Sequence, residues 1–193
     1  MFYMFAAISE PFKTYYFMKK LLLLIAVVAI ALLSKAQKGN NQIGVAFEVG
    51  LPMGSFGDGV KTGFGGLVKG LYGVGTAGQV TFTTGYSSFK WKNLGADESG
   101  SSWILPILLG YRQNFSGFYV EPQAGYGDFG DKYKVSGQSY SASSGAFAWG
   151  ATVGYAKNGF DGGVRYQGLS KNGTVSVIGI HIGYNFTLGE ASK

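Results

Sequence analysis

Seven ionisable side chains are the residues best equipped for chemistry: Glu48, Lys69, Arg112, Glu121, Asp161, Arg165 and His181. Glu48 and His181 are the pair suited to general acid/base work, because a carboxylate beside an imidazole can pass a proton near neutral pH. The chain has one histidine and no cysteine. A lone imidazole cannot build a multi-histidine zinc centre, and thiolate metal sites, disulfides and cysteine nucleophiles are excluded. No catalytic, cofactor-binding or metal-binding residue is therefore assigned. The stretch GDGVKT (57–62) lacks the glycine directly before lysine that a phosphate loop requires and reads as an exposed loop. Asn172-Gly173-Thr174 matches a glycosylation acceptor, but Asn-Gly is first of all a hairpin turn.

The elements that hold these residues follow from alternation. In FYVEPQAGYG (118–127), Phe118, Val120, Pro122, Ala124 and Tyr126 point one way and Tyr119, Glu121, Gln123, Gly125 and Gly127 the other, because successive side chains of a strand face opposite sides of a sheet. This period-two pattern recurs after Gln37, with no helical spacing anywhere. It predicts eight strands: Gln42–Leu51, Thr62–Tyr72, Gly78–Ser88, Ser102–Arg112, Phe118–Gly127, Gly145–Ala156, Phe160–Gln167 and Thr174–Phe186. Tight connections (Gly73–Ala77, Gln113–Gly117, Asn158-Gly159) alternate with long ones (Pro52–Lys61, Phe89–Ser101, Asp128–Ser144); only Leu169 to Gly173 breaks the trend. Short turns on one side and long loops on the other are the asymmetry of an outer-membrane barrel.

The chain ahead of these strands has a different logic. Met18 to Ala36 reads MKKLLLLIAVVAIALLSKA, with two lysines, an apolar run from Leu21 to Leu33, and Ser34 and Ala36 placed for cleavage before Gln37. That is the layout of a secretory signal peptide, and the run is too short for a spanning helix. Met18 makes a better start than Met1, so residues 1–17 read as a mis-called upstream extension, 18–36 as the signal peptide and 37–193 as one barrel domain. The net charge of +6 shrinks accordingly. Without Lys13, Lys19, Lys20, Lys35 and Glu10, twelve cations face nine acids, a balance of +3. The cations are scattered, which argues against a nucleic-acid partner.

Which face meets the solvent decides the class. One face of each strand is large and apolar, as in Ile43, Val45, Phe47, Val49 and Leu51, or Trp103, Leu105, Ile107, Leu109 and Tyr111. The opposite faces are small or polar. An eight-stranded barrel is just wide enough for side chains to fill, so the small faces belong inside and the bulky ones outside. In water that would expose far more apolar surface than a soluble monomer tolerates, and charged residues are only 13% of the chain. The expected surroundings are hydrocarbon, and a closed barrel is the one sheet that satisfies its backbone there. Aromatics eight residues apart on the outward face, Trp103 to Tyr111 and Phe118 to Tyr126, span ~26 Å of strand, near the roughly 25 Å apolar band between aromatic girdles. The reading is an all-β, eight-stranded, antiparallel, up-and-down transmembrane β-barrel.

LPMGSFGDGVKTGFGGLVKG (51–70), LPILLGYRQNFSGFYVEPQAGYG (105–127) and IGIHIGYNF (178–186) resemble the small porin-like outer-membrane barrels related to the OmpA transmembrane domain and to OmpX. The likeness covers Gln42 to Phe186 and rests on glycine and aromatic patterns, which specify fold better than activity. It implies insertion by the barrel assembly machinery through the aromatic last strand, Tyr184-Asn185-Phe186. The chain departs from the family in its tail, Thr187 to Lys193, and in having no peptidoglycan-binding domain after the barrel.

Alternation places all seven ionisable residues inside, with formal charges that cancel when His181 is neutral. Buried charges must be paired, so they read as a structural network, with Lys69, Arg112, Glu121 and Asp161 toward the periplasmic end and Glu48, Arg165 and His181 near mid-depth. Closure brings the first and last strands together and Glu48 toward His181. A lipid-modifying enzyme would have to present that pair to lipid, and His181 is expected to face away. The function read from the sequence is thus a monomeric, non-enzymatic outer-membrane protein without a cofactor. Its partners are outer-membrane lipids and an extracellular protein or surface ligand at the loops, where DKYKVSGQSYSASS (131–144) offers tyrosines, lysines and serines. The alternatives are a narrow passage for small or hydrophobic solutes, a lipid-modifying enzyme and a soluble carrier.

Overall fold

The computed structural model describes residues 41–95, 98–135 and 138–188. The upstream extension, the signal peptide with its cleavage point at Ala36, and the last five residues of the tail lie outside the described residues. Eight antiparallel strands follow one another around a closed barrel: β1 Gln42–Met53, β2 Gly63–Val74, β3 Gly78–Lys90, β4 Glu98–Phe115, β5 Phe118–Val135, β6 Gln138–Lys157, β7 Phe160–Ser170 and β8 Thr174–Thr187. β8 returns to pair with β1 from Gln42↔Thr187 to Met53↔Ser176, which closes the sheet on itself.

The short turns have local causes. Ser116-Gly117 and Asn158-Gly159 each link a paired strand end (Phe115↔Phe118, Lys157↔Phe160), and all four residues have positive φ, between 53° and 104°. Two such residues make a type I′ turn, whose twist matches that of the strands it joins. The prolines also leave a mark. Pairing of β3 with β4 skips the level of Leu105-Pro106, and pairing of β4 with β5 skips Tyr111-Arg112 opposite Glu121-Pro122. A proline cannot donate to the ladder.

Three features differ from the sequence expectation. Residues 98–101, 128–135 and 138–144, read as loop, are strand; in the outermost β5–β6 segment Lys132 lies opposite Ser141 and Tyr133 opposite Tyr140. Both faces of this segment are polar, so hydrophobic alternation gives no signal, yet its backbone groups still pair. As a result β4, β5 and β6 reach 18, 18 and 20 residues and extend past their neighbours at the long-loop end. Second, a six-residue helix, α1 (Gly54–Gly59), stands between β1 and β2, too short to leave a periodic pattern. Third, the lumen is not filled by small residues and ions alone. At the long-loop end Val60, Phe89, Ile104, Leu108, Leu169 and Val177 form an apolar plug, with Phe56 of α1 edge-on to Phe89 at 5.3 Å. Gly50 and Gly63 leave the space that the Phe89 ring occupies. Val60, placed by sequence in an exposed loop, is buried in this plug.

Outside, large apolar side chains stand free: Leu109 is 63% exposed, Ile182 59% and Phe118 66%. The polarity of a soluble domain is reversed.

Candidate functional site

All seven ionisable residues singled out in the sequence are buried in the lumen. Inward-facing positions of β2, β4, β5 and β7 bring four of them together toward the short-turn end. Glu121, fully buried, is the hub. Its Oε2 accepts from Lys69 Nζ at 3.0 Å and Arg112 Nε at 2.9 Å, and its Oε1 accepts from the Thr81 hydroxyl and from Gln123 Nε2, both at 2.8 Å. Arg112 then reaches Asp161 with Nη1 at 3.0 Å, while its guanidinium lies 3.6 Å over the Tyr119 ring. Asp161 in turn accepts from the Tyr119 hydroxyl at 2.6 Å and from Asn185 Nδ2 at 2.9 Å. Two cations and two carboxylates balance within this cluster, and nearly every oxygen has a donor, the condition under which a buried ion network is tolerated.

Glu48 and Arg165 form a separate pair, Arg165 Nη2 donating to Glu48 Oε1 at 2.8 Å. His181 does not join them. Its Nε2 lies 3.2 Å from the Tyr119 hydroxyl and 3.4 Å from Asp161 Oδ1, so it belongs to the lower cluster. The acid/base couple suggested by strand closure is thus replaced by two charge-balanced sets. Tyr119, Asn185 and Thr81 are members that sequence reasoning did not single out. Their inward parity was legible, but nothing in their type marked them as partners of the ions.

A second polar region stands beyond the plug, where β4, β5 and β6 project. On its inward side Trp91 stacks on Tyr133 at 5.4 Å, and the indole N–H donates to Ser102 Oγ, which donates to Asp131. Gly100 lies between the two rings in register; a Cβ there would run into the indole. A concavity of about 810 Å³ at this end is lined by Lys61, Lys90, Lys132 and Lys134 together with Glu98, Trp91 and Tyr133.

No protein-family model matches this chain, and no curated protein matches it. Solved structures do. It is similar to Ail, the attachment invasion locus protein of Yersinia pestis, solved with the heparin analogue sucrose octasulfate, with a TM-score of 0.61 and 18% identity over 77% of this chain and 99% of that one. It is similar to the N-terminal β-barrel domain of Pseudomonas aeruginosa OprF at a TM-score of 0.55 and 15% identity, over 77% of this chain and all of that one (100%). Neisserial surface protein A (NspA) gives 0.54 and 15%, over 75% and 95%. The chain has the fold of the small outer-membrane β-barrels.

In a small outer-membrane barrel the apolar outer band is flanked by aromatic girdles, and aromatic pairs stand at both ends of this one. Tyr86 stacks on Trp103 at 6.0 Å and Trp149 meets Tyr166 at 5.6 Å toward the long loops; Phe118 meets Tyr155 at 5.1 Å and Tyr184 meets Phe186 at 4.9 Å toward the short turns. The large exposed side chains of the outer face are in keeping with that fold.

Proposed function

We propose that this protein is an integral outer-membrane barrel, delivered by its signal peptide and the barrel assembly machinery, that displays β4, β5 and β6 as a rigid platform for contacts at the cell surface. The observation that supports it most is the inversion of polarity on a single strand: Leu109 stands 63% exposed on the outer face of β4, while Arg112 on the inner face is 1% exposed. In water such an exterior would be an aggregation surface; in lipid it is the stable arrangement. The last strand fits delivery by the assembly machinery, with Tyr184 and Phe186 outward and Asn185 tied inward to Asp161.

The lumen supports a structural rather than a conducting role. An apolar plug at one end and a charge network at the other fill it from both sides, which is what a barrel of this size requires. His181 is enclosed by Tyr119 and Asp161, away from the lipid that an acyl-modifying enzyme would act on. A surface role is in keeping with Ail, whose structure was determined with a heparin analogue.

The test is fractionation and display. An epitope inserted between Val135 and Gln138 should be detected on intact cells, and the protein should stay with the outer membrane through alkaline extraction. Recovery in a soluble fraction without detergent would contradict the proposal.

A further inference from the structure

The mouth of the barrel holds a cavity that neither the ion network nor the projecting platform uses. It encloses about 390 Å³, inside the roughly 300–1,000 Å³ range of small-molecule sites. Ile104 of β4 and Phe129 of β5, which are register partners, form its floor. Phe56 of α1, Val60 and Val175 of β8 line it from the other side, and Trp91 stands above. Trp103 and Gly130, chain neighbours of Ser102 and Asp131, also border it. Val60 and Ile104 are buried, whereas Phe56, Trp91, Phe129 and Val175 are only partly covered. Three aromatic rings with uncovered surface thus line one space at the open end of the lumen.

One pleat above the floor the lining turns polar. Ser102 and Asp131 are register partners two residues further along β4 and β5, on the same inward face as Ile104 and Phe129. The Trp91 indole N–H donates to Ser102 Oγ at 2.9 Å, and the Ser102 hydroxyl donates to Asp131 Oδ1 at 2.6 Å. This relay fixes a carboxylate beside the rings. Among the described residues Asp131 enters no salt bridge, and it is the only acid on the lining. Its chain neighbour Lys132 points to the opposite face. Lys92, the only cation on the described lining, is occupied: its Nζ donates to the Gly57 carbonyl of α1 at 2.6 Å.

Ligands of different charge meet this arrangement differently. A neutral apolar molecule would cover the rings but strip water from an unpaired carboxylate, and burying a charge without a partner is unfavourable. An anion would be repelled by Asp131. A cation with an apolar body suits both parts, because the body covers the rings while the charge lies beside the carboxylate and over aromatic faces.

We propose that this cavity binds a small hydrophobic ammonium compound, with its apolar body against Phe56, Ile104 and Phe129 and its cation beside Asp131. The overhang of α1, held by Lys92 and by Phe56 on Phe89 at 5.3 Å, together with the volume, suits a free small molecule better than a segment of a docked protein. The site lies within the mouth and is independent of the contacts proposed for the platform, so either can fail alone.

The experiment uses the full mature chain refolded in non-ionic detergent, with heat-dependent gel mobility reporting the barrel. Isothermal titration compares three water-soluble probes of similar size: phenethylammonium, neutral phenethyl alcohol and the phenylacetate anion. The ammonium is expected to bind at one site at least tenfold more tightly than the alcohol, and the anion not at all. Asp131→Asn keeps an acceptor for Ser102 and should bring ammonium and alcohol within twofold of each other. The preference of the wild type needs no variant, so the proposal is tested even where Asp131→Asn does not refold. Equal affinity for ammonium and alcohol, no ammonium heat beyond that of protein-free micelles, or a preference that survives Asp131→Asn would each overturn it.

Discussion

Glu48 and His181 occupy opposite positions in the β1–β8 pairing, yet each side chain turns to a different partner. Glu48 accepts from Arg165 on one flank, and His181 meets Tyr119 and Asp161 on the other. Closure of the barrel thus joins two charge-balanced clusters side by side without merging them, and the one histidine serves as a hydrogen-bonding member of a packed lumen.

His181→Asn should therefore be mild. An amide retains a group able to bond Tyr119 or Asp161, so the loss should be within about 1.5 kcal/mol, the range of a single hydrogen bond. Equilibrium unfolding in detergent measures it. Outer-membrane lipids from cells expressing the variant should match those of the wild type by mass spectrometry; loss of a lipid modification would revive an enzymatic role.

Glu121→Gln should be severe. It leaves Lys69 and Arg112 buried without their shared carboxylate, a change that costs about 3–5 kcal/mol when one partner of a buried pair is removed. Thr81→Ala deletes only one bond to the same carboxylate and should cost about 1–3 kcal/mol. Denaturant midpoints in one detergent would rank the two, and an equal loss would show that the hub is not Glu121.

Gly100→Val should act locally. The added side chain enters the space of the Trp91 ring and separates it from Tyr133. The near-ultraviolet circular dichroism of the aromatic stack should fall, and protease should cut the projecting sheet faster, while the heat-dependent mobility of the barrel is kept. A barrel that fails to form would mean the projection is needed for closure.

Leu109→Arg tests the outer band. Leu109 lies midway along β4 between Trp103 and Phe115, and a cation at the midplane of a membrane barrel costs about 2–4 kcal/mol. Refolding into phosphatidylcholine vesicles should show that loss. A soluble barrel would tolerate this exposed substitution within a few tenths of a kcal/mol.

The strand count, the inward set and the short turns were legible because alternation and Asn-Gly chemistry act locally. The β5–β6 projection was not, since Lys132, Ser141, Tyr133 and Tyr140 give no contrast between faces. The apolar plug was hidden for a different reason. Val60 reaches Phe89 by a bridge to Trp91 that continues the β2–β3 ladder past its last regular pair, and Phe56 of α1 packs on Phe89, neither of which alternation encodes. Within the ion network, parity told which residues point inward, whereas the choice of Arg165 rather than His181 as the partner of Glu48 depends on side-chain reach across neighbouring strands. Register alone cannot supply that.

Because the chain has no cysteine, the central claim that the bulky face looks into lipid is open to single-site labelling. Nitroxides attached at Leu109→Cys, Val153→Cys and Ile180→Cys in vesicles should collide readily with oxygen and little with a water-soluble nickel chelate, while one at Lys132→Cys should do the reverse. High nickel accessibility at the first three positions would place that face in water and contradict the account.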